Sequence, residues 1–419
     1  MFVKYCVLVL SLLFFYGCLS AEGKKELVVK GPLETLAKKP GAHIKKIEAM
    51  GDHSWLNLGK PVADPKWGVA RGRAWAPKMT FAENVNVAFF VGTGRHGYMK
   101  PNGHFMDDLW AYDVNGNKWI CLYPGTSKKT KLKLDEHGFE VTLDGIANPV
   151  SFCSHAYNNL TYLPDTGRFM LTYRCSPWWT KALPQRGEWL GIPKDKLKAY
   201  AVGKLNNNAR HPIYYNVTKG TWERSYVENK KVMRKGGMSS SFMGVLEYIP
   251  SKKKIFYLYG GKVVYFDPAK NEWSNVSPSS KHKITYDMNG CLDTKRNRML
   301  IFKGNGFWAY NLEKDSWETP KSENQPKYLP TCVKGSTFYD KTNDAVIVFY
   351  KIKNIYKLHI YICESGKWEE KEIKFPDNFR SAYKLIHGFY HPGLNACFYY
   401  MAGDSDNKQA RMLVYRYKK

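Results

Sequence analysis

WAYDVNGNKW, residues 110–119, is one copy of a pattern that recurs along this 419-residue chain. An aromatic residue stands seven positions before a tryptophan, and turn-forming residues lie between them. The other copies are IYYNVTKGTW at 213–222, VYFDPAKNEW at 264–273, WAYNLEKDSW at 308–317 and YICESGKW at 361–368. Each copy predicts a β-hairpin whose second strand opens with the tryptophan.

A second predicted hairpin precedes each copy. Two β-prone runs flank Pro, Asp, Gly, Asn or Lys in LTYLPDTGRFMLTY, LEYIPSKKKIFYLY, GCLDTKRNRMLIF, STFYDKTNDAVIVFY and GFYHPGLNACFYY, and more loosely in KMTFAENVNVAFFV at 78–91. Two hairpins in series form a four-stranded meander, and a circle of such sheets is a β-propeller. The sequence therefore predicts an all-β fold.

The number of blades follows from the two ends of the chain. The last unit has a hairpin at 386–401 and a third strand in MLVYRY, but the chain stops at Lys419 without a tryptophan strand. One tryptophan strand is left over in HSWLNL, around Trp55. Pairing it with the last unit would cover an exposed sheet edge. We therefore predict a six-bladed propeller closed by an N-terminal strand in the last blade.

These repeats resemble the kelch family and the central domain of galactose oxidase over about residues 52–419. The resemblance lies in the blade pattern, the strand-opening tryptophans and the paired glycines Gly260-Gly261. It implies a kelch-like fold, while function belongs to a site rather than to a scaffold. The copper ligands of galactose oxidase are not carried over, because the only Tyr-His pair, Tyr390-His391, is predicted on the opposite face from the expected site. We predict no metal site, and the sequence names no cofactor.

The N-terminus is typical of an export signal. Lys4 precedes an apolar run at 6–19, and small residues follow at Ser20 and Ala21. This run is too short for a permanent membrane anchor. We therefore expect a signal peptide at 1–21, a basic segment at 22–51 and the propeller at 52–419, with lipidation at Cys18 as an alternative to simple cleavage.

The expected mature protein is an exported monomer, secreted or held in the periplasm or at the cell surface, because no later segment is long and apolar enough for a membrane span. Its formal net charge of +27 would concentrate anionic partners. Nucleic acid is the usual partner for such a charge. Export instead favours sulfated or uronic-acid polysaccharide or a cell-surface glycan, so we predict no nucleic-acid partner. A generally basic proteome is the alternative explanation.

Two long insertions mark one face of the predicted propeller as the expected site, because function concentrates in loops. In blade 1, GTGRHGYMKPNGHFMDDLW at 92–110 contains Arg95, His96, Tyr98 and His104, which suit acid–base chemistry or charged sugars. The alternative is an ordinary polar loop. Arg71 and Arg73, expected at the rim of the same face, suit bidentate capture of carboxylate or sulfate, unless they are plain surface arginines.

Blade 2 adds candidates at the channel mouth. The predicted register places Cys153 opposite Cys175 within disulfide range, and it brings His155 and Arg174 to the mouth, with His387 of blade 6 facing His155. Such histidines are commonly hydrogen-bonded wall residues. Trp178 and Trp179 in the blade-2 insertion could form a platform for a sugar ring, or could pack the long loop onto the propeller.

Three functions fit these residues. The first is capture of anionic polysaccharide or glycan by the loop face. The second is an enzyme acting on such a polymer, such as a lyase in which His or Tyr takes a proton beside a carboxylate neutralised by Arg. The third is a protein-interaction scaffold, which predicts exposed apolar patches on the loop face.

Overall fold

The computed structural model describes residues 27–91, 100–127, 129–152, 155–172, 187, 190, 192–197, 210–228, 244–259, 261–275, 287–353, 355–376, 385–402 and 410–419. Within these residues the chain forms six four-stranded antiparallel sheets, arranged as a six-bladed propeller. A small extra hairpin lies between the first two blades. The predicted fold class is confirmed.

The strands run in the order of the repeats. Blade 1 contains β2 (Thr80–Ala82), β3 (Val87–Val91), β4 (Leu109–Asp113) and β5 (Lys118–Tyr123), and the extra hairpin contains β6 (Leu132–Leu134) and β7 (Glu140–Thr142). Blade 2 contains β8 (Leu160–Leu163), β9 (Arg168–Leu171), β10 (Ile213–Asn216) and β11 (Thr221–Arg224). Blade 3 contains β12 (Val245–Ile249), β13 (Lys254–Tyr259), β14 (Lys262–Asp267) and β15 (Glu272–Asn275). Blade 4 contains β16 (Asn289–Asp293), β17 (Arg298–Lys303), β18 (Gly306–Asn311) and β19 (Ser316–Glu318); blade 5 contains β20 (Gly335–Asp340), β21 (Ala345–Ile352), β22 (Ile355–Ile362) and β23 (Lys367–Lys371); blade 6 contains β24 (Leu385–His391), β25 (Ala396–Ala402), β26 (Arg411–Arg416) and the N-terminal β1 (Ser54–Asn57).

The recurring aromatic and tryptophan residues are cross-strand partners in the outer hairpin of each blade. The five pairs are Tyr112 with Trp119, Tyr215 with Trp222, Phe266 with Trp273, Tyr310 with Trp317 and Tyr361 with Trp368. In blade 6 the same position is filled from both ends of the chain, because Trp55 lies opposite Tyr415. The predicted closure by the N-terminal strand is therefore confirmed.

The core is divided among the interfaces between blades. Six clusters of buried apolar side chains occur in the described residues, one between each pair of neighbouring blades. Successive side chains of a strand point to opposite faces of its sheet. Accordingly, Phe89 packs toward blade 2 whereas Phe90 packs toward blade 6. Each sheet is thus covered on both faces, which explains the near-continuous apolar runs in the middle strands.

The segment before β1 packs along the turns of three blades. It contains a 3-10 helix at Gly31–Thr35 and the helix α1 at Ala42–Glu48; further 3-10 helices lie at Pro149–Phe152, Lys194–Lys196 and Pro392–Leu394. The Lys30 N–H bonds to the carbonyl of Val217 in blade 2, and the Gly41 N–H bonds to the carbonyl of Asn115 in blade 1. Arg416 of blade 6 donates to the carbonyls of Glu48 and Met50. Residues 27–50 are therefore bound to the propeller along blades 2, 1 and 6.

Candidate functional site

Residues 73–78, which we call the channel cap, lie just before the inner strand of blade 1. The Arg73 N–H donates to Nε2 of His387 at 3.1 Å, and Nδ1 of the same ring donates to the Ala76 carbonyl at 2.7 Å. The backbone of the cap also pairs with blade 6, since the Gly388 N–H bonds to the Pro77 carbonyl at 2.9 Å. The cap is thereby fixed against the inner strand β24.

The cap also reaches across the channel to three other blades. The Tyr157 N–H of blade 2 bonds to the Trp75 carbonyl at 2.8 Å, and Ser336 Oγ of blade 5 lies 3.4 Å from the Pro77 carbonyl. Lys78 Nζ donates to the Leu246 carbonyl at 2.8 Å and to the Glu247 carboxylate at 2.7 Å, both in blade 3. These bonds place the cap across the channel, between the insertion face and the channel interior.

Two asparagines add a second set of bonds at the same level. Asn158 of blade 2 donates to the side chain of Asn289 in blade 4 at 3.3 Å. Asn289 in turn donates to the Gly335 carbonyl of blade 5 at 3.3 Å. Together with the cap contacts, these bonds tie the inner strands of different blades to one another around the channel.

A cavity of about 580 Å³ fills the channel on the other side of the cap. Pro77 and Lys78 line its inner end, and residues from the inner strands of all six blades line its wall. The lining extends to the turns after those strands, including Glu83 and Lys341. The cavity therefore opens on the face opposite the long insertions, which sequence reasoning did not predict.

Arg73 is not available at a surface. It is 1% exposed, and its Nη2 donates to Asp108 at 2.8 Å. Asp108 also accepts from Lys100 Nζ at 3.1 Å and from the Trp110 indole at 3.0 Å. Burial raises the pKa of Asp108, but the charges of Arg73 and Lys100 outweigh burial and leave that pKa below its ordinary value. Arg73 thus helps to hold the cap and the blade-1 insertion together instead of standing at the rim as expected.

His387 of β24 is buried against the cap. One ring nitrogen accepts from Arg73 and the other donates to Ala76, so the ring is neutral. Burial lowers the pKa of His387 to about 3. His387 is therefore a hydrogen-bonded residue of the channel wall, which was the alternative to a ligand-binding role. His104 is half-buried: its Nδ1 lies 2.7 Å from the Gly125 carbonyl, and its ring packs edge-on against Trp67 at 5.3 Å.

Trp75 forms the exposed outer surface of the cap. Its side chain is 43% exposed, and its φ of 64° is a left-handed value that is costly for a bulky residue. Its ring lies 5.4 Å from that of His155 and 6.5 Å from that of Tyr157. We call Trp75, His155 and Tyr157 the aromatic cluster; it stands on the insertion side of the channel.

Several predicted site residues lie outside the described residues, and their roles stay predictions. They are Arg95, His96, Tyr98, Arg174, Trp178, Trp179 and the proposed disulfide pair Cys153 and Cys175. Arg71 is half-buried beside the cap. Sequence reasoning missed Trp75, Lys78 and Glu247. Trp75 follows the arginines of VARGRAW and could have been noticed there, whereas no local pattern connects Lys78 with a partner 169 residues away.

No protein-family model and no curated protein matches this chain, so the resemblance to kelch repeats has no family assignment behind it. Among solved structures, TolB from Acinetobacter baumannii matches with a TM-score of 0.38 and 9% identity over 75% of this chain and 61% of that chain. An auxiliary nutrient binding protein from Bacteroides ovatus matches with a TM-score of 0.45 and 11% identity over 87% and 78%. Within the described residues, no helix is long and apolar enough to cross a membrane.

Proposed function

We propose that this protein is an exported glycan-binding propeller that holds an anionic polysaccharide against its insertion face. The observation that supports this proposal is the exposed Trp75 on the channel cap. The +27 charge supports an anionic polymer, because the long-range field concentrates polyanions near the surface.

Trp75 combines an exposed side chain with a strained backbone, and this combination points to a binding role. Holding a non-glycine residue at positive φ costs about 1–3 kcal/mol and persists only where surrounding contacts impose it. Here those contacts are the bonds to His387 on one side of the cap and to Tyr157 on the other. An indole that stays 43% exposed recovers only part of that cost through burial. Such strain is commonly concentrated at binding sites, and an exposed indole offers an apolar face for the C–H surface of a sugar.

Binding is better supported than lyase chemistry among the described candidates. A lyase needs a free base beside an arginine that can neutralise the substrate carboxylate. Arg73 is already paired with Asp108, and both ring nitrogens of His387 are bonded to the cap.

A protein partner is the second candidate function. It is favoured by Leu143 and Ile146, which are exposed in the long connection between blades 1 and 2.

The test compares Trp75→Asn with Ile355→Asn. Asparagine tolerates positive φ, so the first change removes the indole without forcing the cap to refold. Ile355 is exposed at the start of β22, the third strand of blade 5, on the same side but away from the cap. Retention on immobilised sulfated polysaccharide and on polygalacturonate is measured, with neutral dextran as the background.

Trp75→Asn is expected to weaken binding by about tenfold, as for loss of a central aromatic contact, while Ile355→Asn binds like the unaltered protein. Equal retention of both variants would contradict a glycan site at Trp75. Arg73 is left unchanged in this test, because its removal would take one of two cations from the buried Asp108 and destabilise the fold.

A further inference from the structure

We infer that the channel cavity is a second binding site, on the face opposite the insertions, and that it takes a neutral sugar ring. Its volume of about 580 Å³ lies within the range of small-molecule sites in proteins. The channel cap separates it from the aromatic cluster, since Pro77 and Lys78 form its inner end. This inference is independent of the polysaccharide site proposed above.

The charges of the cavity exclude an anion as its natural occupant. Its lining contains two lysines and two glutamates, and each lysine faces a glutamate. At the inner end, Lys78 lies 2.7 Å from Glu247; at the mouth, Lys341 lies 4.0 Å from Glu83. The lining is therefore electrically balanced within a protein of net charge +27. An acidic sugar would add a third carboxylate to this lining, where both lysines already face glutamates and no further cation would neutralise it.

The inner end offers hydrogen-bonding groups suited to adjacent hydroxyls. Lys78 Nζ donates to Leu246 and Glu247, which uses two of its three N–H groups. Glu247 accepts that bond through Oε1, and its second carboxylate oxygen is a further acceptor. One remaining donor and one remaining acceptor, held side by side, match two neighbouring hydroxyls of a sugar. Their side chains are only 16% and 23% exposed, which strengthens such bonds.

The wall of the cavity is aromatic and held firmly. Tyr248, Tyr339 and Tyr390 line it, and their hydroxyls donate to Asp165, Asp344 and Asp340 of the surrounding turns. The hydroxyl bonds therefore fix the rings from the outside, leaving ring surface for the cavity. Thr80 and Thr337 also line the cavity, but their hydroxyl oxygens are shielded and present no polar group to it. The largely apolar wall suits the ring faces of a sugar, while Lys78 and Glu247 at the inner end suit its polar edge.

The experiment is calorimetric titration of the full mature chain with glucose, galactose, mannose and xylose, alongside glucuronate and glycine. One neutral sugar is expected to bind with one equivalent per chain, and glucuronate more weakly. Glu247→Gln keeps the side-chain shape but removes the charge, and it should weaken that sugar by about tenfold. Thr294→Trp places a bulky ring at the exposed cavity mouth without touching the core, and it should abolish binding.

Trp75→Asn is the matched control, because it alters the other side of the cap and should leave sugar binding unchanged. Lack of binding by every neutral sugar would overturn the inference, as would equal affinity for glucuronate or preference for glycine. Sugar binding that survives both Glu247→Gln and Thr294→Trp would place the ligand elsewhere. Loss of polysaccharide retention in Trp75→Asn bears only on the insertion face, so the two proposals fail separately.

Discussion

Two buried histidines and one half-buried histidine use a ring nitrogen to accept a backbone hydrogen bond. His211 accepts from the Val227 N–H at 2.9 Å, His387 from Arg73 at 3.1 Å, and His391 from Leu394 at 3.0 Å. Protonation would turn each acceptor into a donor and break the bond. Burial accordingly lowers the pKa of His211 and His387 to about 3 and that of His391 to about 4.

These histidines predict acid sensitivity at unusually mild pH. Below the ordinary histidine pKa of 6.5, the unfolded chain binds protons that the folded chain refuses, so stability falls as pH falls. Each histidine lowers the free energy of unfolding by about 1.4 kcal/mol for every pH unit that the pH falls between 6.5 and its pKa in the folded protein. Urea unfolding at pH 7, 6, 5 and 4.5 measures this loss.

The control for the pH series is His387→Gln, which cannot be protonated in this range. It is expected to be less stable at pH 7, because glutamine fits the two cap bonds imperfectly. Its stability should then decline less steeply with acid, by about 1.4 kcal/mol per pH unit. A parallel decline in both proteins would show that His387 is not neutral in the cap.

At the scale of elements, blade 6 is fastened at both edges by the N-terminal part of the chain. β1 pairs with β26 on the outer edge, and the Met79 N–H bonds to the Gly388 carbonyl at 2.9 Å on the inner edge. Trp55 anchors the outer strand through ring contacts with Phe349, Phe375, Tyr399 and Tyr415 at 4.8–5.7 Å. Phe349 belongs to blade 5 and Phe375 follows its last strand, so β1 also closes the interface between blades 5 and 6.

Deleting residues 52–60 is expected to expose the β26 edge and to give an aggregating or poorly folded protein. Trp55→Ala is the milder change and should lower the free energy of unfolding by about 2–3 kcal/mol. Ile355→Ala, at the exposed first residue of β22, should cost less than about 0.5 kcal/mol. If the truncated chain melts like the full mature chain, the outer pairing does not stabilise the ring.

The cysteines predict one disulfide, between two residues outside the described part of the chain. Cys121, Cys291, Cys332, Cys363 and Cys397 are free and buried, which leaves Cys153 and Cys175 of the seven cysteines that follow residue 21. Peptide mapping of unreduced, natively exported protein should recover these two as one linked pair. Recovery of both as free thiols would reject the pairing, and the five buried thiols serve as the internal control.

The elements were more predictable than the site for a physical reason. A hairpin is a local structure, so the spacing from Tyr112 to Trp119 already specifies it. The leftover Trp55 strand could be placed because an unpaired edge needs a partner. The cap depends on contacts between residues far apart in sequence, such as Arg73 with His387. Arg73 was expected at the surface because no local sequence pattern indicates Asp108 as its buried partner.

At the scale of the whole molecule, the positive charge is distributed unevenly between paired and unpaired positions. Arg73 and Lys100 share Asp108, and the cavity lysines are matched by glutamates. The cavity is therefore balanced, and the group of Arg73, Lys100 and Asp108 keeps one positive charge in excess, while the chain as a whole carries +27. The excess charge acts mainly through its long-range field, which salt screens within about 10 Å at 0.1 M.

This difference predicts opposite salt responses for the two proposed ligands. Retention on a sulfated or uronate polymer should weaken strongly between about 0.05 and 0.5 M sodium chloride, because screening removes the field of exposed charges. Binding of a neutral sugar in the channel should stay nearly constant over the same range, since no net charge is attracted. Both affinities are measured on the same preparation at each salt concentration.

Arg71→Ala removes one charge from an excess of 27, so a purely nonspecific field predicts almost no change in polymer retention. A several-fold loss, with preference for one polymer altered, would mark Arg71 beside Trp75 as part of a specific site. Retention that ignores salt, or an Arg71→Ala protein identical to the unaltered chain in affinity and preference, would contradict an electrostatic glycan site on the insertion face.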